Sequence, residues 1–370
     1  MARRDQYLEK AEPIKIGLLL DNPQRSTDSA ERIYDLVVDN YARSKRFERG
    51  FEFVKVYPYG PPAGFIQNAI DGFHDLCDQG CIAVVGGHHA DDCIALAPHA
   101  DARKVPLLNT GATTHAMSTY SFSISWGSIP HDVYTVASWL KRKSYRRVVI
   151  TYDRAEHILE NVVHFRNACA RSGIKILSEV RFPQSITDDL QERFAEAHRD
   201  LAPLNADALA HFGSGAMSYQ WAEFVNKNWG LPRIMNDAFH GANNAWATHQ
   251  FEGWVGTTMW DDDNEVNNRF FEQYNARYPD QPVASREILG VFHDLMTALV
   301  EGVMLAPTLT PDGVRRGLEM VQMVPAACGG PRSYIAFSPH AHRGLQGPDI
   351  MVLRRVEEGR LIMEGHIELC

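Results

Sequence analysis

The reading of this chain turns on residues 84–114: Val84-Val85-Gly86-Gly87-His88-His89, a dozen residues of helical spacing, and then Val105-Pro106-Leu107-Leu108-Asn109-Thr110-Gly111-Ala112-Thr113-Thr114. An apolar run of strand length that stops at Gly-Gly predicts a turn, because glycine accepts backbone conformations that other residues avoid. Residues 91–102 read as a helix, and the second apolar run, 105–108, stops at Asn-Thr-Gly. Strand, helix and strand within roughly thirty residues make a βα unit. Apolar residues run through these strands without alternating, which predicts a parallel sheet covered on both faces.

The same pattern extends in both directions. Upstream, strands are predicted at 14–20 and 51–57, with helices at 28–46 and 63–79. Downstream the pattern restarts: helix 131–142, strand 147–152, helix 155–172, strand 174–180, helix 188–200, strand 208–212, helix 217–228 and a short strand at 233–235. Residues 253–260 read as a returning strand. Helices at 265–278, 287–304 and 311–322 and short strands near 333–337, 350–355 and 361–367 complete the chain. Two βα series predict two α/β lobes with a cleft, which 370 residues accommodate. In open α/β sheets ligands collect at the carboxyl ends of the strands. Those ends are Asp21-Asn22, Gly87-His88-His89, Thr110–Thr114, Tyr152-Asp153-Arg154, Phe212–Gly215 and Asn236-Asp237.

Composition removes several alternatives. A net charge of −9 with scattered acidic residues offers no basic stripe for a nucleic acid. Six cysteines without a Cys-x-x-Cys pair predict buried thiols, with neither a disulfide framework nor a structural zinc site. Adjacent His88 and His89 on a strand-to-helix turn point apart, so no metal and no other cofactor is expected. Asp91 and Asp92 suit the positive end of a helix. There is no Gly-x-Ser-x-Gly elbow, Walker loop, Gly-x-Gly-x-x-Gly after a strand, or His-Glu-x-x-His, so the chain is not expected to be an enzyme. The first ten residues carry polar groups where a secretory signal needs an apolar core, so the sequence as it stands reads as cytoplasmic, or extracytoplasmic if a signal has been removed.

The ordered series resembles the type I periplasmic binding proteins, in particular the leucine/isoleucine/valine-binding branch of ABC transporter substrate-binding proteins. Val84–His89 followed by Val105–Thr113 carries most of the resemblance. Gly253-Trp254-Val255-Gly256-Thr257, the helix with Phe270-Phe271, Tyr274 and Tyr278-Pro279, Leu309–Val314, and Gly329-Gly330-Pro331 with Ile335-Ala336-Phe337 continue it, over roughly residues 14–356. It implies two Rossmann-like lobes joined by three hinge crossings, near 126–129, 256–261 and 323–332, and closure on a small organic solute. The implied lobes are 1–127 with 259–326, and 128–258 with 327–370. It also implies a membrane permease as partner. Members without a signal, such as the amide sensor of amidase operons, imply a regulatory protein instead; a hydrolase is the remote alternative.

The resemblance places ligand contacts at His88, His89, Ala90, Ala112 and Thr113 in the first lobe, where helix N-termini present N–H donors. In the second it places them at Tyr152 and at Asn236 and Asp237, where amino-acid binders carry an acid. Trp126 falls at a crossing, as a wall of the cleft or as core; Asn22, Phe239 and Trp260 fall on its rim. The family's serine-rich loop is replaced here by His88-His89-Ala90-Asp91-Asp92, which turns the expectation from an ordinary α-amino acid to a molecule with an apolar body and a polar or carboxylate end.

Overall fold

A computed structural model describes residues 12–20, 29–47, 49–58, 65–213, 215–243 and 247–366, without the side chains of Phe65, Asp237, Ala238 and Asn243. The chain forms two compact units: Met1–Trp126 with Asn264–Cys328 and Arg332–Gly347, and Gly127–Asp263 with Gly329–Pro331 and Pro348–Cys370.

In the first unit the strands are β1 (Ile14–Leu19), β2 (Phe51–Val56), β3 (Val84–Val85), β4 (Leu107–Asn109) and β5 (Ser121–Ser123). They form one sheet in the order β2-β1-β3-β4-β5, with every pairing parallel. The helices between them are α1 (Ser29–Arg43), α2 (Phe65–Asp78) and α3 (Ala90–Arg103). Ile16, Leu18 and Leu19 of β1 are fully buried, as an apolar strand covered on both faces requires.

The second unit repeats the plan. Its elements are α4 (His131–Arg142), β6 (Arg147–Tyr152), α5 (Glu156–Ser172), β7 (Lys175–Arg181), α6 (Leu190–Leu201), β8 (Ala208–Phe212), α7 (Gly215–Asn228), β9 (Arg233–Met235) and β10 (Trp254–Thr258). The order β7-β6-β8-β9-β10 is the same sequence of crossovers as in the first sheet. Two antiparallel strands, β14 (Val352–Glu357) and β15 (Arg360–Gly365), extend it beyond β10.

The first unit also holds α8 (Glu265–Arg277), α9 (Arg286–Leu305), α10 (Pro311–Leu318) and a small antiparallel sheet of β11 (Val324–Pro325), β12 (Tyr334–Ile335) and β13 (Leu345–Gln346). Helix α9 is apolar and long enough to span a bilayer by composition, but it is a core helix, buried along most of its length. Ser285 starts it, its Oγ accepting the Ile288 N–H at 3.1 Å.

Two expectations need correction. Residues 327–328 and 332–347 fall in the first unit rather than the second, and 259–263 in the second rather than the first. Ser123 N donates to the His342 carbonyl and Gly344 N to the Ser123 carbonyl, at 2.9 and 2.8 Å, which ties 342–344 to β5. The chain therefore changes unit at 331/332 and 347/348 as well as at 126/127, 263/264 and 328/329. Phe239 is not on a rim: it is fully buried, and its ring lies where a Cβ on Gly256 would fall.

Candidate functional site

Both sheets reverse their strand order between their first and third strands, so each has a switch point at which connections leave in opposite directions and open a crevice at the carboxyl ends. In the first unit that point lies between β1 and β3; in the second, between β6 and β8.

At the first, the chain leaves β3 through Gly86 (φ 149°) and Gly87 (φ 82°). A Cβ on Gly86 would stand 2.4 Å from Leu19 Cβ and 2.6 Å from its carbonyl oxygen, so only glycine passes so close to β1. The Gly87 carbonyl accepts Thr110 N (3.1 Å), Thr110 Oγ1 (3.2 Å) and Cys93 Sγ (3.1 Å), which fastens this turn to the end of β4. Burial pushes the Cys93 thiol well above its ordinary range, so it is a packed hydrogen-bonding group with no thiolate character.

His88 is half-buried, His89 exposed and Ala90 half-buried. His89 is the N-cap of α3 in an extended conformation and makes no side-chain cap bond; Asp91 and Asp92 fill the first turn. Beyond β4, Asn109 is fully buried: its Nδ2 donates to the Ala116 carbonyl and Ser121 Oγ, and its Oδ1 accepts the Gly111 N–H. That amide shapes the Gly111-Ala112-Thr113 turn. Thr113 is buried, and its Oγ1 accepts the His115 N–H at 3.2 Å, while the Ala112 carbonyl accepts Arg343 Nη1 at 2.9 Å. Trp126 is half-buried, and its N–H donates to the Thr110 carbonyl.

At the second switch point β6 ends in half-buried Tyr152 and buried Asp153, whose Oδ1 accepts the Ala155 N–H at 2.8 Å and opens α5. Beside it β8 ends in Phe212-Gly213, and Gly213 N donates to Asn236 Oδ1 at 3.3 Å. Asn236 is buried after β9. Beneath this rim runs a buried chain: Thr151 Oγ1 to His211 Nδ1 at 2.9 Å, and His211 Nε2 to Ser218 Oγ at 3.0 Å. Desolvation lowers the His211 pKa to about 3, so the imidazole stays neutral and links two hydroxyls. Trp260 follows β10, half-buried, with the guanidinium of Arg354 over its ring at 3.9 Å.

The carboxyl-end rim of the first unit thus carries His88, His89, Ala90, Ala112 and Thr113, with Trp126 close by, and that of the second carries Tyr152 and Asn236. Asn22 and the Asp237 side chain lie outside the described residues. Sequence reading missed three groups that shape the rims: Asn109, the Thr151–His211–Ser218 chain, and Phe292, on which His88 and Trp126 rest. Asn109 and His211 were detectable as polar residues within apolar strands.

Each unit is thus an α/β body on a sheet whose first five strands are parallel and of one topology, with its switch point at the strand carboxyl ends. Residues 63–359 match the sequence profile of the periplasmic binding protein family, and the chain belongs to that family. It is a ligand-binding receptor. A comparison with curated protein sequences finds no match. Among solved structures it is similar to a solute binding protein of an R. palustris ABC transporter in complex with 4-hydroxybenzoate, with a TM-score of 0.78 at 15% identity over 96% of both chains. It also resembles a second R. palustris solute binding protein in complex with benzoate, with a TM-score of 0.72 at 16% identity over 96% of both chains. A leucine binding protein from Thermotoga maritima gives 0.74 at 17% identity over 96% of this chain and 99% of that one.

Proposed function

We propose that the chain is the solute receptor of an ABC-type uptake system and hands a small organic molecule with an apolar body and a polar or carboxylate end to a membrane permease. What carries this reading is the pair of matching switch points, each with a rim of small residues, backbone donors and half-buried aromatic or imidazole rings. His88, His89, Ala90, Ala112, Thr113 and Trp126 from the first unit, and Tyr152, Asn236 and Asp237 from the second, are the proposed contacts. The acidic first turn of α3 partly offsets its positive end, which suits a neutral oxygen as well as a carboxylate there.

The solutes named for the similar structures, benzoate and 4-hydroxybenzoate on one side and leucine on the other, bracket the choice. The replacement of a serine-rich loop by His88-His89-Ala90 and the rings at 88, 126 and 152 favour the first kind. We also read the chain as a receptor that performs no chemistry: Ser218, His211 and Thr151 have the order of a nucleophile relay, but all three are fully buried and the last is a hydroxyl in place of a carboxylate.

Native mass spectrometry of freshly purified protein, followed by calorimetry with benzoate, 4-hydroxybenzoate and L-leucine, tests the reading. A co-purified organic acid, or binding of an aromatic carboxylate more tightly than leucine, is expected. Binding of none of the three, with no small molecule carried through purification, overturns it.

A further inference from the structure

Phe292 is fully buried in α9, and three rings meet its own near right angles: Tyr34 at 5.7 Å and 78°, His88 at 5.3 Å and 76°, and Trp126 at 5.6 Å and 83°. Tyr34 is buried with it, whereas His88 and Trp126 are half-exposed. The residues come from four separated parts of the first unit: α1, the turn after β3, the end of the segment after β5, and α9. None of the contacts is local in sequence, so Phe292 is what the two surface rings share.

Edge-to-face contact has a preferred geometry, because the positive edge of one ring seeks the negative face of another. A ring that packs on Phe292 is therefore held in orientation as well as in position. The backbone fixes both neighbours from the other side: His88 follows the Gly86-Gly87 turn tied to Thr110, and Trp126 N donates to the Thr110 carbonyl. His88 and Trp126 thus stand as two oriented, half-buried aromatic surfaces packed on one buried ring.

We propose that Phe292 is a specificity-determining positioning residue: it orients His88 and Trp126 so that the receptor prefers a planar, π-bearing solute over a saturated one of the same size and charge. This rests on the reading of the first-unit rim as a ligand-binding surface. Phe292 itself does not touch the solute. It acts through the two rings that do, much as an outer-shell group orients a ligating side chain.

The test compares benzoate with cyclohexanecarboxylate, which carries the same charge on a puckered, saturated ring, by calorimetry on the wild type, Phe292→Leu and Phe292→Tyr, with melting curves for each. The wild type is expected to prefer benzoate by about tenfold or more. Phe292→Leu keeps an apolar core side chain but removes the ring. It is expected to weaken benzoate about tenfold while leaving cyclohexanecarboxylate within about twofold, and so to erase the preference. Phe292→Tyr, which keeps the ring, is expected to restore it. If the wild type shows the preference and Phe292→Leu retains it, or loses both ligands equally, the positioning role is overturned and the reading of the rim stands. If Phe292→Leu does not fold, Phe292→Tyr decides: a folded Tyr variant that lacks the preference overturns the proposal, and one that keeps it supports the ring as the determinant. If the wild type binds both carboxylates equally, or neither of them while it binds L-leucine, the positioning role is overturned and the reading of the rim stands. If it binds none of these and carries no small molecule, both fall.

Discussion

Asp294 Oδ2 accepts the backbone N–H of Cys328 at 2.8 Å, at the point where the chain leaves the first unit. The same carboxylate accepts the Ala327 N–H at 2.7 Å on Oδ1, which also lies 2.8 Å from His293 Nδ1, and the whole side chain is buried. Asn264, where the chain enters the unit, donates from Nδ2 to the carbonyls of Ala326 and Ala327. Ala327 and Cys328 are thus held at their N–H groups by a buried carboxyl group, and the carbonyls of Ala326 and Ala327 by an amide, while the Ala326 N–H donates to the Ser333 carbonyl at 3.1 Å. Buried backbone groups need such partners, and a segment that lacks a neighbouring strand must find them in side chains.

Replacing Asp294 with Ala strands two buried N–H groups. At about 1–3 kcal/mol for each unsatisfied group, a loss of about 3 kcal/mol is expected in urea unfolding of the first unit. Asp294→Asn keeps one acceptor and turns an amide N–H₂ toward a donor, so it is expected to lose about half as much. Full stability in Asp294→Ala would show that 326–328 holds its course by other means.

His211 gives the second unit a dependence on acid. Its folded-state pKa, lowered to about 3 by burial, lies below the ordinary histidine value of about 6.5, so between these values the unfolded chain binds a proton that the folded chain does not. The stability this group contributes is complete above about pH 6.5 and is lost as pH falls towards 3. One such group amounts to about 2 kcal/mol by pH 5. His211→Gln has no titrating group there, so its stability measured by urea at pH 7 and pH 5 is expected to fall by about 2 kcal/mol less than that of the wild type. Equal slopes in the two proteins would contradict the buried neutral imidazole.

Gly86 and Gly80 separate two effects of a positive φ. Both sit in that region, at 149° and 83°, but a Cβ on Gly80 meets nothing within 4 Å while one on Gly86 meets Leu19 Cβ at 2.4 Å and its carbonyl oxygen at 2.6 Å. Gly80→Ala is expected to cost about 1 kcal/mol, the conformational term alone. Gly86→Ala adds an overlap that only separation of β1 from the turn relieves, for a total of about 3 kcal/mol or more. Similar losses in the two variants would mean that the β3 turn yields easily.

Much of this was legible before the structure. Continuous apolar strands between amphipathic helices disclose parallel βα units, and Gly-Gly and Asn-Thr-Gly at their ends mark the rims, because turn chemistry is local. What was not legible is set by tertiary partners. Strand β5, Ser121-Phe122-Ser123, reads as polar, yet it is buried because the serine hydroxyls donate to the carbonyls of Ala116 and Gly111. Arg354 and Arg355 look alike in sequence, but strand alternation buries the first against Trp260 and leaves the second half-buried on the other face. Phe292 sits in a helix that is buried nearly all round, where periodicity says nothing about which residue faces the rim.

Tyr152 is the ring proposed to contact the solute from the second-unit rim. It closes β6 at the switch point, half-buried, and its carbonyl, which accepts the Phe182 N–H at 2.7 Å, fixes the backbone whatever the side chain is. Substitution there therefore changes the rim without loosening the strand pairing. A buried aromatic contact contributes about 1–3 kcal/mol, or roughly one to two decades in dissociation constant. Tyr152→Ala is expected to weaken benzoate binding by that amount, while Tyr152→Phe, which keeps the ring, stays within about threefold of the wild type. Thr113→Val in the other rim removes an acceptor that caps the Thr114–Ala116 turn, and is expected to lower affinity together with melting temperature. Calorimetry paired with melting curves separates the cases. Affinity lost in both Tyr152 variants would assign the contact to the hydroxyl. Unchanged affinity in both would remove Tyr152 from the binding surface, and loss of melting temperature in Tyr152→Ala alone would return it to the core beside β6.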